Sequence, residues 1–357
     1  MRGLILINTG TPEAPTVPAV RHFLHQFLSD ERVLTMHPIL RWILLHLVIL
    51  RIRPQKSARA YQKIWTPEGS PLLRHGLQLT DKVQALLGKE YVVEFGMRYG
   101  QPSTDVAIKR LIARGAKNIT ALPLFPQFAE ASTGSAIHHL VQCVENQNKV
   151  LPLHVLPEFF HHHGFVDAVA EIYCEDQQTH GADHILFSMH GVPVNHIKES
   201  ECPASADGTC RVSDTPCPEI SIPESQCYRA QCMATARILA ERMDLPPSSW
   251  SVSFQSRVGR TPWIAPHTDE VIEQLPSEGC KKLVVICPSF VADCLETIEE
   301  MGIRAKNQFL RAGGEEFTLV SCLNSADSWA VAIVDMVQSA GSHWDNTPPN
   351  TIKSQSF

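Results

Sequence analysis

Residues 3–10, GLILINTG, form a short apolar run that ends in Asn8, Thr9 and a glycine. Because neither a longer apolar core nor a small-residue cleavage site accompanies it, the run predicts a buried β-strand rather than a signal peptide. Runs of this kind, without polar alternation, are typical of parallel strands that helices cover on both faces. Five later runs have the same character: YVVEFGMRYG (91–100), NITALPLFPQ (118–127), HILFSMHG (184–191), SWSVSFQS (249–256) and KLVVICPSF (282–290).

The six runs fall into two groups of three, which predict two doubly wound α/β domains with parallel sheets. The boundary is predicted near residue 170, within FVDAVAEIYCEDQQTHGAD (165–183), which has the pattern of a helix leading into the second sheet. The N-terminal domain then spans 1–170 and the C-terminal domain 171–340, followed by a polar tail at 341–357. A chain of 357 residues is also long for one hydrophobic core.

The bulk composition narrows the class of function. A formal net charge of -6 and a pI near 6.3 offer no general basic field, so nucleic acid is not expected as a partner. No stretch matches the phosphate loops G-x-G-x-x-G or G-x-x-x-x-G-K-[ST], and small-molecule chemistry becomes the leading class. The lack of an export signal predicts a cytoplasmic location, whose reducing conditions disfavour disulfides.

The most apolar segment is HPILRWILLHLVILRIRP, residues 37–54. It contains Arg41 and is shorter than the roughly 20 apolar residues that a membrane-spanning helix needs. One interpretation is a buried core helix. The other is an amphipathic lip that touches a membrane or an apolar substrate, with Arg51 and Arg53 at the level of the lipid headgroups. Trp42 among so many Leu and Ile residues is unusual for a cytosolic surface.

Three predicted strands end in groups suited to chemistry, at the edge where ligands of doubly wound sheets collect. His190 closes the first of these strands, and Gly191 after it lets a ligand approach the backbone. Such a histidine is either a structural hydrogen-bonding group or a ligand-facing base. The polar loop SFQSRVGRTPWIAPHT (253–268) follows the second strand, and its Trp263 suits a flat ligand.

Acidic residues follow the third strand. If a helix starts at Asp293, then Asp293, Glu296 and Glu300 share one face of it. The three are either a solvated helix start, which the helix dipole favours, or carboxylates crowded enough to hold a proton or a divalent cation.

Seven stretches, taken together and in this order, resemble the ferrochelatases, the enzymes that insert ferrous iron into a porphyrin in the last step of haem synthesis. The resemblance covers the chain to about residue 340. The stretches are INTGTPEAPTVPAVRHFLHQFLSDERV (7–33), KSARAYQKIWTPEGSPLL (56–73), GMRYGQPS (96–103), LPLFPQFAEASTGS (122–135), FSMHGVPV (187–194), SFQSRVGRTPWIAPHTDE (253–270) and FVADCLETIEE (290–300).

The resemblance implies two Rossmann-like domains of the chelatase fold, with the porphyrin held in the cleft between them under the lip at 37–54. His190 matches the family's active-site histidine and Glu296 its active-site glutamate, and both are expected to face the Fe²⁺ substrate. Asp293 and Glu300 match flanking acids, which form an expected relay for protons or metal. Other positions that match the porphyrin pocket and its motifs are Trp263, Phe290, Arg98, Tyr99, Tyr61, Ser70 and Ser256.

The expected chemistry fits these residue types. A free porphyrin loses two pyrrole N–H protons as Fe²⁺ enters, so a base that works near neutral pH is needed, and histidine has an unperturbed pKa of roughly 6.5. Hydrated iron must exchange its water ligands, which favours weakly held oxygen and imidazole ligands. We expect His190 to accept the pyrrole protons. Phe128 departs from the family, which has a tyrosine at this position, so a hydroxyl group is missing there.

Residues 199–217, ESECPASADGTCRVSDTPC, hold three of the chain's eleven cysteines, and Cys227 and Cys232 follow. A disulfide, a zinc site, an iron–sulfur site and chance are the four explanations. Reducing conditions disfavour the disulfide. Successive cysteines from Cys202 to Cys227 lie eight, seven and ten positions apart, which misses both the tight pairs of zinc sites and the common ferredoxin patterns.

The resemblance narrows the choice. YRAQC (228–232) matches a helix start that relatives without a cluster also have, and the segment before it is an insertion. Glu130 stands where the animal-type cluster has a cysteine, and no cysteine follows Cys322, so that type is excluded. The insertion resembles a bacterial arrangement that binds one [2Fe-2S] cluster. The predicted ligands are Cys202, Cys210, Cys217 and Cys227, with Cys232 as the alternative fourth ligand.

We expect the other cysteines to be small buried hydrophobes. They are Cys143, Cys174, Cys280, Cys287, Cys294 and Cys322.

Two rival functions stay open: a chelatase for another metal or tetrapyrrole, such as cobalt or coproporphyrin, and a haem-binding redox sensor. The presence of both His190 and Glu296 favours catalysis. The expected partners are the porphyrin and the haem product, with peripheral contact to the inner membrane through residues 37–54, and the choice between a monomer and a homodimer stays open.

Overall fold

The computed structural model describes residues 1–147, 151–198, 217, 227–259 and 261–345. Two four-stranded parallel sheets follow one another along the chain, with the strand orders β2-β1-β3-β4 and β6-β5-β7-β8. The strands are β1 (Arg2–Gly10), β2 (Tyr91–Tyr99), β3 (Ile119–Pro123), β4 (Leu153–Val155), β5 (His184–His190), β6 (Trp250–Gln255), β7 (Lys282–Ile286) and β8 (Glu316–Leu319).

Helices cover both sheets. They are α1 (Val17–Ser29), α2 (Pro38–Ile43), α3 (Leu50–Ile64), α4 (Pro71–Leu87), α5 (Thr104–Ala113), α6 (Ser135–Glu145), α7 (His163–His180), α8 (Val194–Lys198), α9 (Tyr228–Arg242), α10 (Thr268–Gln274), α11 (Lys306–Arg311) and α12 (Asp327–Asp345). Among the described residues, π-helical segments occur at Leu44–Ile49, Glu130–Gly134 and Leu295–Ala305, and short 3-10 turns at Gly88–Glu90, Pro247–Ser249 and Leu275–Glu278.

The central strand β1 shows why its sequence is apolar without alternation. Leu4 and Leu6 pack into the core on one face of the sheet, whereas Ile5 and Ile7 pack into a second core on the other face. All four side chains are completely buried. The predicted fold class, with its six strands and parallel sheets, is therefore confirmed. The short strands β4 and β8 were missed.

The predicted boundary near residue 170 falls inside α7, the helix that connects the two sheets. The last helix, α12, packs back onto the first half of the chain. Trp329 contacts the ring of Phe159 at a centroid distance of 5.3 Å, and Lys82 Nζ lies 2.6 Å from Asp327 Oδ1. The division of the chain at 170 and 171 stays a prediction, and α12 ties the two halves together.

Residues 37–54 form α2, a π-helical turn and the start of α3. Their buried side chains are few, with Leu45 and Leu50 among them, so the interpretation of this segment as a buried core helix is wrong. The large apolar side chains exposed here are Ile39, Leu40, Trp42, Ile43, Leu47, Val48 and Ile52. Within the residues described, no helix has the length and hydropathy needed to cross a membrane.

Candidate active site

His190 stands at the carboxyl end of β5 with a half-buried side chain. Its Nδ1 atom lies 2.6 Å from the carbonyl oxygen of Gly191. Because a carbonyl only accepts, Nδ1 carries the proton, and the neutral ring keeps its lone pair on Nε2. The geometry therefore fixes both the tautomer and the nitrogen that is able to act as a base or a metal ligand.

Two aromatic side chains flank His190. The ring of Phe290 lies 5.8 Å from the imidazole, and the ring of Trp263 lies against Gly191, where an added Cβ would come within 3.3 Å of it. The indole Nε1 of Trp263 donates to the carbonyl of Val258 at 2.9 Å, which fixes the plane of the ring. The two aromatics predicted to hold a flat ligand are thus placed beside the predicted base.

The acids after β7 differ from the expected arrangement. The helix that carries them is a π-helix beginning at Leu295, with Cys294 as its N-cap, so the expectation of a helix starting at Asp293 is wrong. Asp293 precedes the helix, and its carboxylate accepts hydrogen bonds from Asn324 Nδ2 at 2.7 Å and from Thr297 Oγ1 at 3.0 Å. Asp293 therefore anchors the start of the helix.

Glu300 is held by the end of β6. Its carboxylate accepts from the backbone N–H of Ser256 at 2.9 Å and from the Ser256 hydroxyl at 2.8 Å. Ser256 has a φ of 67°, a left-handed conformation that costs a non-glycine residue roughly 1–3 kcal/mol. Burial raises the pKa of Glu300 and the charge of Glu296 adds to this, although Ser256 and Arg304 oppose it. Glu300 is thus suited to hold a proton.

Glu296 lies on the same π-helix and is half-buried. Gln255, which pairs with His190 in the sheet, donates from Nε2 to the backbone carbonyl of Glu296 at 2.9 Å. Burial, followed by the charge of Glu296, raises the pKa of Tyr61 on α3. Gln255 therefore joins the two predicted active-site residues, and Glu296 faces the first half of the chain. Gln255 was not predicted as a site residue, although it stands in the run SWSVSFQS (249–256).

The first sheet ends in a closed polar network. Asp30, at the end of α1, accepts from Arg98 Nη2 at 2.6 Å, from the Tyr99 hydroxyl at 2.8 Å and from the Ser135 hydroxyl. Burial works to raise the pKa of Asp30, but hydrogen bonds from Ser135, the Arg32 backbone and Tyr99, with the charge of Arg98, lower it on balance. Arg98 and Tyr99 are therefore fixed to an acid that the sequence analysis did not single out.

The remaining predicted pocket residues are buried between helices of the first half. Tyr61 is 7% exposed and stacks edge-on with Phe23 and Trp65. Ser70 is 3% exposed and precedes α4. Of the predicted pocket set, Trp263 and Phe290 lie beside His190, Ser256 lies on Glu300, and Tyr61 faces Glu296.

Two of the predicted cluster ligands are described. Cys217 and Cys227 are buried, with exposed fractions of 9% and 2%, and Cys202 and Cys210 lie outside the described residues. Arg229 Nη1 lies 2.8 Å from the sulfur of Cys217, and a guanidinium at this distance favours the thiolate form that binds metal. These two positions therefore fit a thiolate-ligated metal group.

Most of the other cysteines are buried as expected, but Cys174 is exposed on α7 and that expectation is wrong. The flanking Glu171 and Glu175 are also exposed, so Cys174 lies on the outward face of the helix. The cysteines confirmed as buried are Cys143, Cys280, Cys287, Cys294 and Cys322.

A second group of metal-type side chains joins α7 to α12. The Nε2 atoms of His162 and His163 lie 3.4 and 3.5 Å from Asp335 Oδ2. The backbone N–H of Gly164 donates to His162 Nδ1 at 3.2 Å, which leaves the ring proton on Nε2. His162 therefore has no Nε2 lone pair for a metal, and the group acts as a contact between helices.

Comparison with known proteins points to one family. The sequence profile described as Ferrochelatase matches residues 1–341. A protein of Coxiella burnetii named Ferrochelatase is 43% identical over 336 residues, covering 94% of this chain and 93% of that protein. A Legionella pneumophila protein of the same name is 43% identical over 343 residues, covering 94% of this chain and 98% of that protein.

Solved structures support the fold alone. SirB from Bacillus subtilis, determined with Fe³⁺, aligns with a TM-score of 0.55 at 11% identity, covering 97% of this chain and 98% of that one. A SirB sirohydrochlorin chelatase complex with cobalt aligns with a TM-score of 0.54 at 10% identity, with the same coverage.

Proposed function

The chain belongs to the ferrochelatase family, and from this premise we propose that it inserts Fe²⁺ into protoporphyrin to form haem, as a lyase of the metal-chelatase type. The observation that carries the proposal is the state of His190 at the end of β5. Its Nδ1–H is bound to the Gly191 carbonyl, which leaves Nε2 as the basic atom beside Trp263 and Phe290.

The residues divide the chemistry between them. Two pyrrole protons leave the porphyrin while Fe²⁺ binds the four ring nitrogens, so charge is conserved. His190 Nε2 accepts pyrrole protons, and the Gly191 carbonyl stabilises the imidazolium through Nδ1–H. Glu296 faces the Fe²⁺ substrate with His190, and its oxygen ligand exchanges easily. Glu300, whose pKa is raised by burial, passes protons outward, and Asp293 fixes the start of the π-helix.

The lip supplies the apolar wall of the porphyrin site and contacts the surface of the inner membrane. Seven large apolar side chains of residues 39–52 are exposed, which is typical of an interfacial helix. Arg51 is exposed beside them and supplies a positive charge for anionic lipid headgroups. Asn195 Nδ2 on α8 donates to Thr35 Oγ1 at 3.1 Å, which ties the base of the lip to the helix after His190.

A [2Fe-2S] cluster would be held by Cys202, Cys210, Cys217 and Cys227. The two described ligands are buried, and Arg229 donates to one of them, which suits a thiolate. A bound cluster supplies folding free energy and one-electron chemistry. We take Cys227 as the fourth ligand, because Cys232 stands in the YRAQC stretch that relatives without a cluster also have. Iron and sulfide in equal amounts in the purified chain, at two of each per chain, support the cluster, and bound zinc overturns it.

The test of the function is an anaerobic assay of the purified full chain with Fe²⁺ and protoporphyrin, followed by the absorption spectrum of haem. The rival chelatase is tested in parallel with Co²⁺ and with coproporphyrin. We expect the highest kcat/KM for Fe²⁺ with protoporphyrin. Haem binding without turnover identifies the redox sensor instead. Light scattering tests the homodimer, because it separates the chain mass of 39.7 kDa from twice that value.

A further inference from the structure

Tyr228, the first residue of α9, joins the cysteine segment (residues 199–227) to the active-site strand. Its side chain is buried, and its hydroxyl donates a hydrogen bond to the carbonyl oxygen of His190 at 2.7 Å. Ser289 Oγ lies 3.4 Å from the same hydroxyl. Cys227 precedes Tyr228 in the chain, so a predicted cluster ligand is one residue from this contact.

The peptide between His190 and Gly191 is fixed at both of its polar atoms. The N–H of Gly191 donates to the carbonyl of Gln255 at 2.8 Å. The last pair of β5 with β7 involves Phe187, so the His190 carbonyl lies beyond that pairing and takes its donor from Tyr228 instead. The His190 ring is bound to the carbonyl of Gly191, which belongs to the next peptide, so a rotation of the His190–Gly191 peptide also displaces the acceptor that holds the imidazole.

The same helical turn also contacts the cysteines. Arg229 is 2% exposed, and its Nη1 atom lies 2.8 Å from the sulfur of Cys217. Cys227 is the N-cap of α9 and is buried in the same core as Tyr228 and Cys217. Consecutive residues of one helical turn therefore contact the thiol of Cys217 and the backbone of His190.

We propose that Tyr228 is a positioning residue that makes the orientation of His190 depend on the thiols of the cysteine segment. When the thiols of Cys217 and Cys227 are held in place, the first turn of α9 is fixed and the Tyr228 hydroxyl remains hydrogen-bonded to the His190 carbonyl. When they are released, the turn shifts, the hydrogen bond is lost and the imidazole turns with its peptide. The proposal rests on the assignment of His190 as the active-site base.

The first test compares Tyr228→Phe with wild type in the full chain, with Tyr173→Phe as the control. Tyr173 is buried in the same hydrophobic core, so its substitution measures the general cost of losing a buried phenol hydroxyl. We expect Tyr228→Phe to lower kcat roughly five- to tenfold and to leave the porphyrin KM within about twofold, since one hydrogen bond that orients the base is lost. Tyr173→Phe is expected to change neither value.

The second test reads His190 directly and does not depend on activity. The ring signal of His190 is assigned in spectra of histidine-labelled protein by its absence in His190→Ala. We expect Cys217→Ser to move this signal in the wild-type background and to have no further effect in Tyr228→Phe. Because the readout is the position of the signal, it remains valid if the chain proves not to insert iron, which separates this proposal from the proposed function.

Two outcomes overturn the proposal. One is a Tyr228→Phe variant whose kcat matches that of Tyr173→Phe. The other is a His190 signal that Cys217→Ser leaves in place, or shifts equally in the wild-type and Tyr228→Phe backgrounds. The melting temperatures of all variants identify any variant that loses kcat through unfolding. For such a variant, the position of the His190 signal in the folded fraction tests the proposal.

Discussion

The carboxyl ends of the two sheets carry polar side chains in contrasting states. At the end of β2, Arg98 and Tyr99 both direct their donors to the Asp30 carboxylate, which is 6% exposed. At the end of β5, His190 Nδ1 binds the backbone carbonyl of Gly191, and Nε2 is the nitrogen that we propose acts on the substrate. This difference supports our proposal that the first half of the chain builds a fixed wall and the second half presents the reactive atoms.

The largest effect is expected from removing the imidazole of His190. His190→Ala is predicted to lower the rate of iron insertion about 1000-fold, since general base catalysis contributes about 10²–10⁴ in rate, while porphyrin binding persists. The matched control is His184→Ala at the other end of the same strand, where the imidazole contacts Ser251 Oγ at 2.8 Å. Stopped-flow haem formation measures the rate of insertion, and porphyrin fluorescence measures binding. Full turnover by His190→Ala would contradict the assignment of His190 as the base.

The next effect concerns the Asp30 network at the end of the first sheet. Asp30→Asn leaves the half-buried Arg98 without its counter-charge, and we expect a loss of about 3 kcal/mol in the free energy of unfolding. Because the folded pKa of Asp30 is lowered, its stabilisation is present above the unfolded value of about 3.9 and is lost as the pH falls through the folded value. The free energies of unfolding of wild type and Asp30→Asn, measured in urea, should therefore differ by a constant amount from pH 5 to 8. The difference should shrink below about pH 4.

An equal difference between the two proteins at every pH would show that the Asp30 charge does not act in the network. We expect kcat at saturating porphyrin to change much less than stability, because Asp30 lies in the wall. A loss of kcat as large as that of His190→Ala would contradict the division between the two halves.

The third effect concerns membrane binding by the lip, which belongs to the first half of the chain. Ile39 and Trp42 are 63% and 57% exposed, and their joint replacement by serine is predicted to lower binding to phosphatidylglycerol vesicles about tenfold. Leu86→Ser is the control, because Leu86 is 52% exposed on α4 outside the lip. Sedimentation with vesicles measures the binding, and equal losses in both variants would argue against a membrane role for the lip.

The smallest effect concerns the proton relay. Ser256→Ala removes the hydroxyl donor to Glu300 but keeps the backbone donor at 2.9 Å. The pKa of Glu300, already raised by burial, should rise further, and we expect a change in kcat of about threefold with its pH profile displaced to higher pH. A profile that does not move would show that Glu300 takes no part in the rate-limiting proton transfer.

The strands were predictable because they are buried on both faces, as Leu4 and Ile5 show in β1. The short strand β4 has only half-buried side chains, so its sequence contains no apolar run that would predict a strand. The position of His190 at a strand end was predictable, because a glycine follows the apolar run, and its catalytic role stays a prediction. Asp30 and Tyr228 were missed, since their roles depend on partners 68 and 38 positions away, and no local pattern records such contacts.

The helical register of the acids was wrong for a related reason. Asp293 lies outside the π-helix Leu295–Ala305 and is bound by Asn324, which lies 31 residues further along the chain. Residue types alone predicted the three acids as a group, and tertiary contacts determine the hydrogen bonds that each one makes.

The most direct measurement of the central claim is a crystal structure of the full chain with bound protoporphyrin. We predict that the ring lies between the carboxyl ends of the two sheets, against Trp263 and Phe290, with a pyrrole nitrogen within about 3.5 Å of His190 Nε2. A porphyrin bound on the outer surface of the lip, or one whose nitrogens face Arg98 while His190 remains remote from the ring, would contradict it.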